Sequence, residues 1–182
     1  MDWLTAFNEF LAQPDIDANM NPPAAVGSIQ AFEAALAEQE RIKRFILPPS
    51  YKAFLLRYDG GSIVDSKAGS YPSLLSIDGF KKPWKSLMSY NAADSVLMNH
   101  EIETYFTFEP LVMIGTDEGS NFWALDPSQR RTDGEMPVRF CNHESGDIYA
   151  QADDFSAFIL LIADRRLRYR GLRNPVVKGH SW

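Results

Sequence analysis

The chain has 182 residues, of which 45% are hydrophobic and 23% charged, and its formal net charge of −6 argues against direct nucleic-acid binding. Its longest apolar run, Phe158–Ala163, is too short to cross a bilayer, and no basic region precedes an apolar run at the N-terminus, so we expect a cytoplasmic protein of one domain. A single cysteine, Cys141, excludes an internal disulfide and a zinc site built from several cysteines.

The first third of the chain carries apolar residues at helical spacing. Trp3–Leu11 predicts a helix capped by Asp2, and the polar, proline-containing segment Asp15–Ala25 predicts a connector. Ser28 is a candidate cap for a second helix that continues towards Ile46. The inward-facing residues expected in this second helix are Ile29, Phe32 and Leu36.

A third helix is predicted immediately afterwards. Pro48 and Pro49 suit a first helical turn, because proline has a fixed φ and lacks an N–H group that would have no partner there. The apolar stripe of this helix is formed by Tyr51, Phe54, Leu55 and Tyr58. Asp59-Gly60-Gly61 then predicts its end, since glycine adopts the left-handed conformation at little steric cost.

Short strands and turns are predicted after Gly61. Phe108–Gly115 and Asn121–Leu125 are the clearest strands, and Thr116–Ser120 joins them as a turn. Val138–Cys141 and Asp147–Gln151 predict a second hairpin around a five-residue loop. Further candidates are the strand Ser62–Val64, the apolar run Tyr71–Ile77 and a helix over Asn91–Glu103.

A closing helix completes the pattern. Asp153 or Asp154 is its expected cap, and its apolar residues are Phe155, Phe158, Ile159 and Ile162. Helices first, hairpins next and a final helix predict an α+β fold with a mostly antiparallel central sheet flanked by helices. We divide the chain into an N-terminal helix and connector (1–27), an α+β domain (28–163) and a basic tail (164–182). One prediction for the tail is that it continues the last helix for about a turn or two, until Gly171 and Pro175 end it. The alternatives are a tail that lies on the acidic body and a loosely ordered terminus.

The charge is unevenly distributed along the chain. Residues 1–163 carry a balance of −11, whereas residues 164–182 carry +5. Ser86–Gln129 contains seven acidic residues and no lysine or arginine. Such a segment favours a cationic partner, and the alternative is a solvated acidic face that aids solubility.

No catalytic, metal or cofactor motif is complete. His100-Glu101 and His143-Glu144 begin like zinc-protease motifs, but neither is followed by the second histidine that would hold the metal. The turn at Asp117–Asn121 lacks the alternating acids of a calcium loop. Cys141 and His143 alternate along a predicted strand, so a small hydrolase with a thiol–imidazole pair is an alternative. Such a nucleophile would also need an orienting group and an oxyanion donor.

Four segments in order resemble the SUKH superfamily, of the Smi/Knr type, over about Ser28–Ala163. They are Ile29…Glu33…Leu36, then Leu47-Pro48…Tyr51…Phe54-Leu55…Asp59-Gly60-Gly61, then the strand pair Leu111–Asp126, and the closing helix with Phe155, Phe158 and Ile159. The segment between Leu36 and Leu47 is longer than the short link of the family, and the N-terminal helix and the basic tail lie outside the family core.

The resemblance implies a non-enzymatic protein-binding module without a cofactor or a bound metal. Bacterial members of the superfamily are typically immunity proteins that neutralise a cognate toxin, often a nuclease, and fungal members regulate cell-wall synthesis through protein contacts. We therefore expect a basic toxin domain as partner, with a regulatory scaffold that has no toxin partner as the alternative. The expected contact residues are Trp84, Glu101, Glu103, Asp117, Glu118, Asn121, Trp123 and Asp126.

Two aromatic residues in this set could anchor a partner. Trp84 and Trp123 are candidates because interfaces favour tryptophan in pockets from which water is excluded. The alternative for Trp123 is packing in the core from its strand. Glu33 is expected to have a structural role.

Overall fold

The computed structural model of this protein describes residues 2–37, 45–69, 72–77, 111–117, 121–142, 144–167 and 174–176. These stretches contain four α-helices: α1 (Trp3–Leu11), α2 (Val26–Ala37), α3 (Pro49–Leu55) and α4 (Phe155–Ala163). Their strands are β1 (Ile16–Met20), β2 (Gly61–Asp65), β3 (Ser73–Leu74), β4 (Val112–Thr116), β5 (Phe122–Leu125), β6 (Val138–Cys141) and β7 (Ile148–Ala152). None of the helices in these stretches has the length and apolar character needed to cross a lipid bilayer.

The strands form one antiparallel sheet in which each strand pairs with the next one along the chain. Apolar residues of all four helices share a core with alternate residues of the strands, such as Trp123 on β5 and its direct neighbour Phe140 on β6. The predicted α+β fold with an antiparallel sheet is therefore confirmed, as are the β4–β5 and β6–β7 hairpins. The helix predicted over Asn91–Glu103 lies outside the described residues.

The N-terminal segment joins the same core and the same sheet. Helix α1 has the predicted bounds and Asp2 occupies its N-cap position as predicted, although the Asp2 side chain makes no capping hydrogen bond. The segment predicted as a connector contains strand β1, which pairs along its full length with β2. The polar residues Asp17 and Asn19 concealed this strand, because they occupy its exposed face while the alternate residues point inward.

Helix α2 begins at Val26, so Ser28 lies inside the helix and the prediction that it caps the helix is wrong. The chain is fixed earlier, because the N–H of Ala24 donates to the carbonyl of Leu55 at 2.9 Å. Residues 38–44 lie outside the described ranges, and Phe45–Pro48 are not helical.

Two carboxylates position helix α3. Glu33 on α2 accepts a hydrogen bond from the N–H of Leu47 at 2.9 Å and pairs with Lys52 at 2.8 Å. Glu135, which is distant in sequence, accepts from both the N–H and the hydroxyl of Ser50, at 2.8 and 2.6 Å. Because Pro48 at the N-cap position provides no side-chain cap, Glu135 satisfies a helix N-terminus that the local sequence leaves open.

Helix α3 ends at Leu55, earlier than the predicted stop at Asp59–Gly61. The two glycines instead allow close strand pairing, since a Cβ atom on Gly60 would lie 2.5 Å from the carbonyl oxygen of Leu74. The buried Asp59 carboxylate accepts from the N–H of Ile77 at 2.6 Å and from the hydroxyl of Ser76 at 2.9 Å. This segment therefore joins β2 to the chain that follows β3.

Helix α4 is capped by Asp154, whose carboxylate accepts from the N–H of Ala157 at 2.8 Å, as one of the two predicted alternatives. The helix ends at Ala163, so the predicted continuation into the tail is wrong. Arg165 has φ +55°. The backbone N–H of Arg165 donates to the carbonyl of Ile162, and that of Arg166 donates to the carbonyl of Leu161, which together form a Schellman motif.

The side chain of Arg165 explains why a residue other than glycine occupies this left-handed position. Its guanidinium donates to the buried Asp65 carboxylate at 2.8 Å, pairs with Asp15 and lies over the ring of Phe10. The left-handed conformation costs about 1–2 kcal/mol for a non-glycine residue, and two ion pairs offset that cost. Arg165 thus ties the end of α4 to α1, to the start of β1 and to the end of β2.

Phe54 lies at the centre of an aromatic layer. Its ring is fully buried and lies 5.2 Å from that of Phe155 on α4, 6.2 Å from that of Phe7 on α1 and 6.0 Å from that of Tyr58, as measured between ring centroids. Three segments that are distant in sequence therefore meet on one side chain.

Replacing Phe54 with alanine should lower the free energy of unfolding by about 3–5 kcal/mol, because the change removes a buried ring and leaves a cavity. Urea unfolding followed by circular dichroism measures this effect. Leu56→Ala, at an exposed position of the same segment, is the control and should change stability by less than about 0.5 kcal/mol. Equal effects of the two substitutions would contradict the central role of Phe54.

Asp65 makes the stability dependent on pH. Burial raises the pKa of its carboxyl group, but hydrogen bonds from the N–H of Ala68, from the Arg165 guanidinium and from the N–H of Lys67 outweigh burial, so the pKa lies below its usual value. The unfolded chain therefore takes up the proton first as the pH falls. The stabilisation by Asp65 is complete above the unfolded pKa of about 3.9 and is lost as the pH falls through the folded pKa.

We expect Asp65→Asn to lower the free energy of unfolding near neutral pH by about 1–3 kcal/mol, because a buried charge-assisted hydrogen bond is lost. The difference in the free energy of unfolding between wild type and variant should become smaller below about pH 4, as measured by urea unfolding at a series of pH values. Asp17→Asn removes the same charge from an exposed position of β1 and serves as the control. A difference that stays constant down to about pH 2 would contradict the role assigned to the Asp65 carboxylate.

Candidate partner-binding surface

Two hairpin turns lie at the same end of the sheet. Thr116, Phe122, Cys141 and Ile148 pair in one row across β4 to β7, and both the β4–β5 turn and the β6–β7 turn follow that row. Two strand spacings of about 4.8 Å separate the turns, which places them roughly 10 Å apart. We call the described acidic residues of these turns, Asp117, Glu144 and Asp147, the acidic turn surface.

Asp117 is held rigidly at the base of the β4–β5 turn. Its carboxylate accepts from the backbone N–H of Asn121 at 2.9 Å and from the side-chain amide of Asn121 at 2.7 Å. The N–H of Asp117 donates to the carbonyl of Asn121 at 3.1 Å. Both residues are half-buried, so the predicted contact residue Asn121 fixes the orientation of Asp117.

The β6–β7 turn is ordered in a similar way. The side-chain oxygen of Asn142 accepts from the N–H of Glu144 at 2.9 Å and from that of Ser145 at 3.1 Å. Glu144 is exposed, while Asp147 is half-buried and accepts from the hydroxyl of Tyr149 at 3.0 Å. Burial, followed by this hydrogen bond to Asp147, raises the pKa of Tyr149.

Sequence reasoning did not include Glu144 and Asp147 among the contact residues. They lie outside Ser86–Gln129, the segment in which acidic residues occur without lysine or arginine. The signal was present, because alternate turns of an antiparallel sheet of consecutive hairpins lie at the same end.

Trp123 occupies the core, which was the alternative to a role as a partner anchor. Its side chain has 0% exposure, and its ring lies 5.5 Å from that of Phe158 and 6.0 Å from that of Phe140. In this structure the ring has no surface to offer to a partner.

Asp126 lies at the other end of β5 and has 6% exposure. Its carboxylate caps the short 3₁₀-helix Pro127–Gln129 through the N–H of Ser128 and forms two 2.9 Å contacts with the Arg139 guanidinium. The structure therefore does not bring Asp126 together with Asp117. The remaining predicted contact residues, Trp84, Glu101, Glu103 and Glu118, lie outside the described residues.

Cys141 provides no reactive thiol. Its side chain is fully buried in a small apolar cluster with Ala124 and Ile148, and burial raises the pKa of the thiol. His143, the other half of the predicted pair, lies outside the described residues. Across the described ranges, no three His, Cys, Asp or Glu side chains converge as ligands of a metal ion.

The chain matches the profile of the SMI1 / KNR4 family (SUKH-1) over residues 23–161, which is more than half of its length. It therefore belongs to this family, and the predicted resemblance to the SUKH superfamily is confirmed. A comparison with curated protein sequences gave no significant match. The matched region includes β2 to β7 and most of α4, whereas α1, β1 and Arg165 precede or follow it.

The thiol of Cys141 should be inert towards iodoacetamide at neutral pH in the folded protein, because burial removes both access and thiolate. We expect alkylation at least about a hundredfold slower than in urea-unfolded protein, as measured by mass spectrometry over time. The unfolded sample is the control for intrinsic reactivity. Similar rates in the two samples would restore the hydrolase alternative based on Cys141 and His143.

Proposed function

We propose that this protein is a non-enzymatic immunity-type protein that binds and neutralises a basic toxin domain, for which a nuclease is the favoured class. The proposal depends on the Asp117 carboxylate, which two hydrogen bonds from Asn121 hold in a fixed orientation in a chain of this family. Family membership by itself supports either an immunity role or a regulatory role of the Smi/Knr type, both of which act through protein contacts.

Charge supports a cationic partner. Residues 1–163 carry a balance of −11, and the acidic turn surface gathers carboxylates from two turns at one end of the sheet. A nuclease presents a positive groove to nucleic acid, and an acidic protein surface can occupy such a groove in place of the phosphates. Complementary charge of this kind mainly raises the association rate and the specificity.

The geometry of the turns supports recognition without rearrangement. The hydrogen bonds from Asn121 hold the Asp117 carboxylate in place, so little conformational entropy remains to be lost there when a partner binds. We include Glu118, which follows Asp117 in the sequence, together with Glu101 and Glu103 in the contact surface, and we assign Trp84 as its aromatic anchor. Binding would occur in the cytoplasm, before the toxin reaches its substrate.

Affinity purification of the tagged protein from its native cells, followed by mass spectrometry, tests the proposal. Capture of a basic toxin-like domain, and growth rescue when the two are co-expressed, would support the immunity role. Capture of an enzyme or scaffold of cell-wall synthesis, with no toxic partner, would favour the regulatory alternative instead.

Charge reversal on the turn tests which surface binds. The double variant Asp117→Lys/Glu118→Lys should associate with the captured partner about tenfold more slowly at low salt, because electrostatic steering is weakened. Stopped-flow association measured over a series of salt concentrations should also show a flatter salt dependence. Glu9→Lys, at an exposed position on α1, changes charge away from the turns and is the control.

Circular dichroism and urea unfolding of each variant separate loss of binding from loss of folding. Unchanged association rates in a folded double variant would exclude this turn from the interface. Equal slowing by Glu9→Lys would indicate a general effect of net charge and no localised surface.

A further inference from the structure

The two edge strands of the sheet differ in how they are protected from pairing with another chain. Strand β1 carries the exposed Asp17, and prolines flank it at Pro14 and Pro22. Charged residues and prolines at an edge discourage strand addition. Strand β7, at the opposite edge, has the sequence IYAQA, with neither a charge nor a proline.

The carbonyl group of Ile148 points away from the sheet. Asp147 accepts a hydrogen bond from the N–H of Asn142 at 3.0 Å, so the carbonyl of Asp147 faces β6. Successive carbonyls alternate sides along a strand, and that of Ile148 therefore faces outward. It accepts a hydrogen bond from the N–H of Val176 at 2.7 Å.

In the segment 174–176, the backbone N–H of Val176 is the donor to Ile148. Asn174 has φ +61°, a conformation that asparagine tolerates better than most residues. Pro175 has no N–H group, so Val176 is the donor. The Val176 side chain is 53% exposed, which means that the backbone contact holds the segment while side-chain burial contributes little.

We propose that residues 174–176 form an edge cover that prevents β7 from pairing with β7 of a second copy of this chain. The second copy follows from the sequence of β7 and its flanks. A twofold axis through Tyr149 would pair Ile148 with Ala150 and Asp147 with Gln151 of the other copy, so two β7 strands can pair antiparallel without bringing like charges together. The cover is shallow and is held at the strand edge by a backbone contact, so a single substitution can release it. This inference concerns self-association and does not depend on the partner proposed above.

The test uses the full-length chain with Val176→Pro, which removes the N–H donor and leaves the rest of the tail in place. Val176→Ala keeps the donor and is the matched control. Sedimentation equilibrium over a concentration series should show a monomer for wild type and Val176→Ala. Val176→Pro should dimerise about tenfold to a hundredfold more tightly than wild type, because one competing hydrogen bond is lost on each of the two copies.

A second pair of variants identifies the edge. A chain that ends at Arg173 lacks the whole cover and should dimerise at least as strongly as Val176→Pro. Adding Ala150→Lys to either variant should restore the monomer, because the two added charges would lie diagonally across the twofold axis on the same exposed face of the paired strands.

Each other outcome overturns the proposal. A monomeric Val176→Pro variant would show that the contact does not guard the edge, whether or not the truncated chain folds. Equal dimerisation of Val176→Ala, or of wild type, would show that the donor is irrelevant. Dimers that persist after Ala150→Lys would place the interface on another surface.

Discussion

The packing of the aromatic layer around Phe54 is the constraint on which the rest of the structure depends. Phe54 is fully buried and brings α3 into contact with α1 through Phe7 and with α4 through Phe155. Aromatic burial contributes a large apolar area and little specificity in direction, so the layer by itself does not determine where each helix begins and ends. That information comes from the polar groups at its borders.

Carboxylates supply much of that information. Several acids that count towards the negative charge of the chain hold backbone or arginine groups inside the fold: Glu33, Asp59, Asp65, Asp126 and Glu135. Each accepts hydrogen bonds from N–H or guanidinium groups, which lowers the cost of burying a charge. The charge of the sequence therefore overstates the field at the surface, and the proposed interface relies on the acids at the turns. The turn at Asp117 combines both uses, because the hydrogen bonds that order it also orient its charge.

The sheet places two ordered turns at one end and leaves two strand edges. Antiparallel pairing of consecutive strands places alternate turns at one end, and it leaves two edges. One edge is strand β1, which lies outside the matched family region. Arg165 connects the start of that strand to the end of α4 through its ion pair with Asp15. The other edge is β7, against which Val176 is placed. The additions at the two ends of the family core thus both lie at sheet edges or next to them.

The sequence by itself determined the elements whose signal is local and repetitive. Helical spacing located α1 and α4, alternating strands around turn residues located the β4–β5 and β6–β7 hairpins, and the ordered motifs indicated the family. Tertiary structure decided what depends on distant residues. Strand β1 forms because its backbone pairs with β2. Helix α4 ends at Ala163 because Arg165 forms ion pairs with Asp15 and Asp65. Likewise, only the folded chain separates the acids that it uses internally from those at the turns, because hydrogen-bond partners far apart in sequence leave no periodic signal.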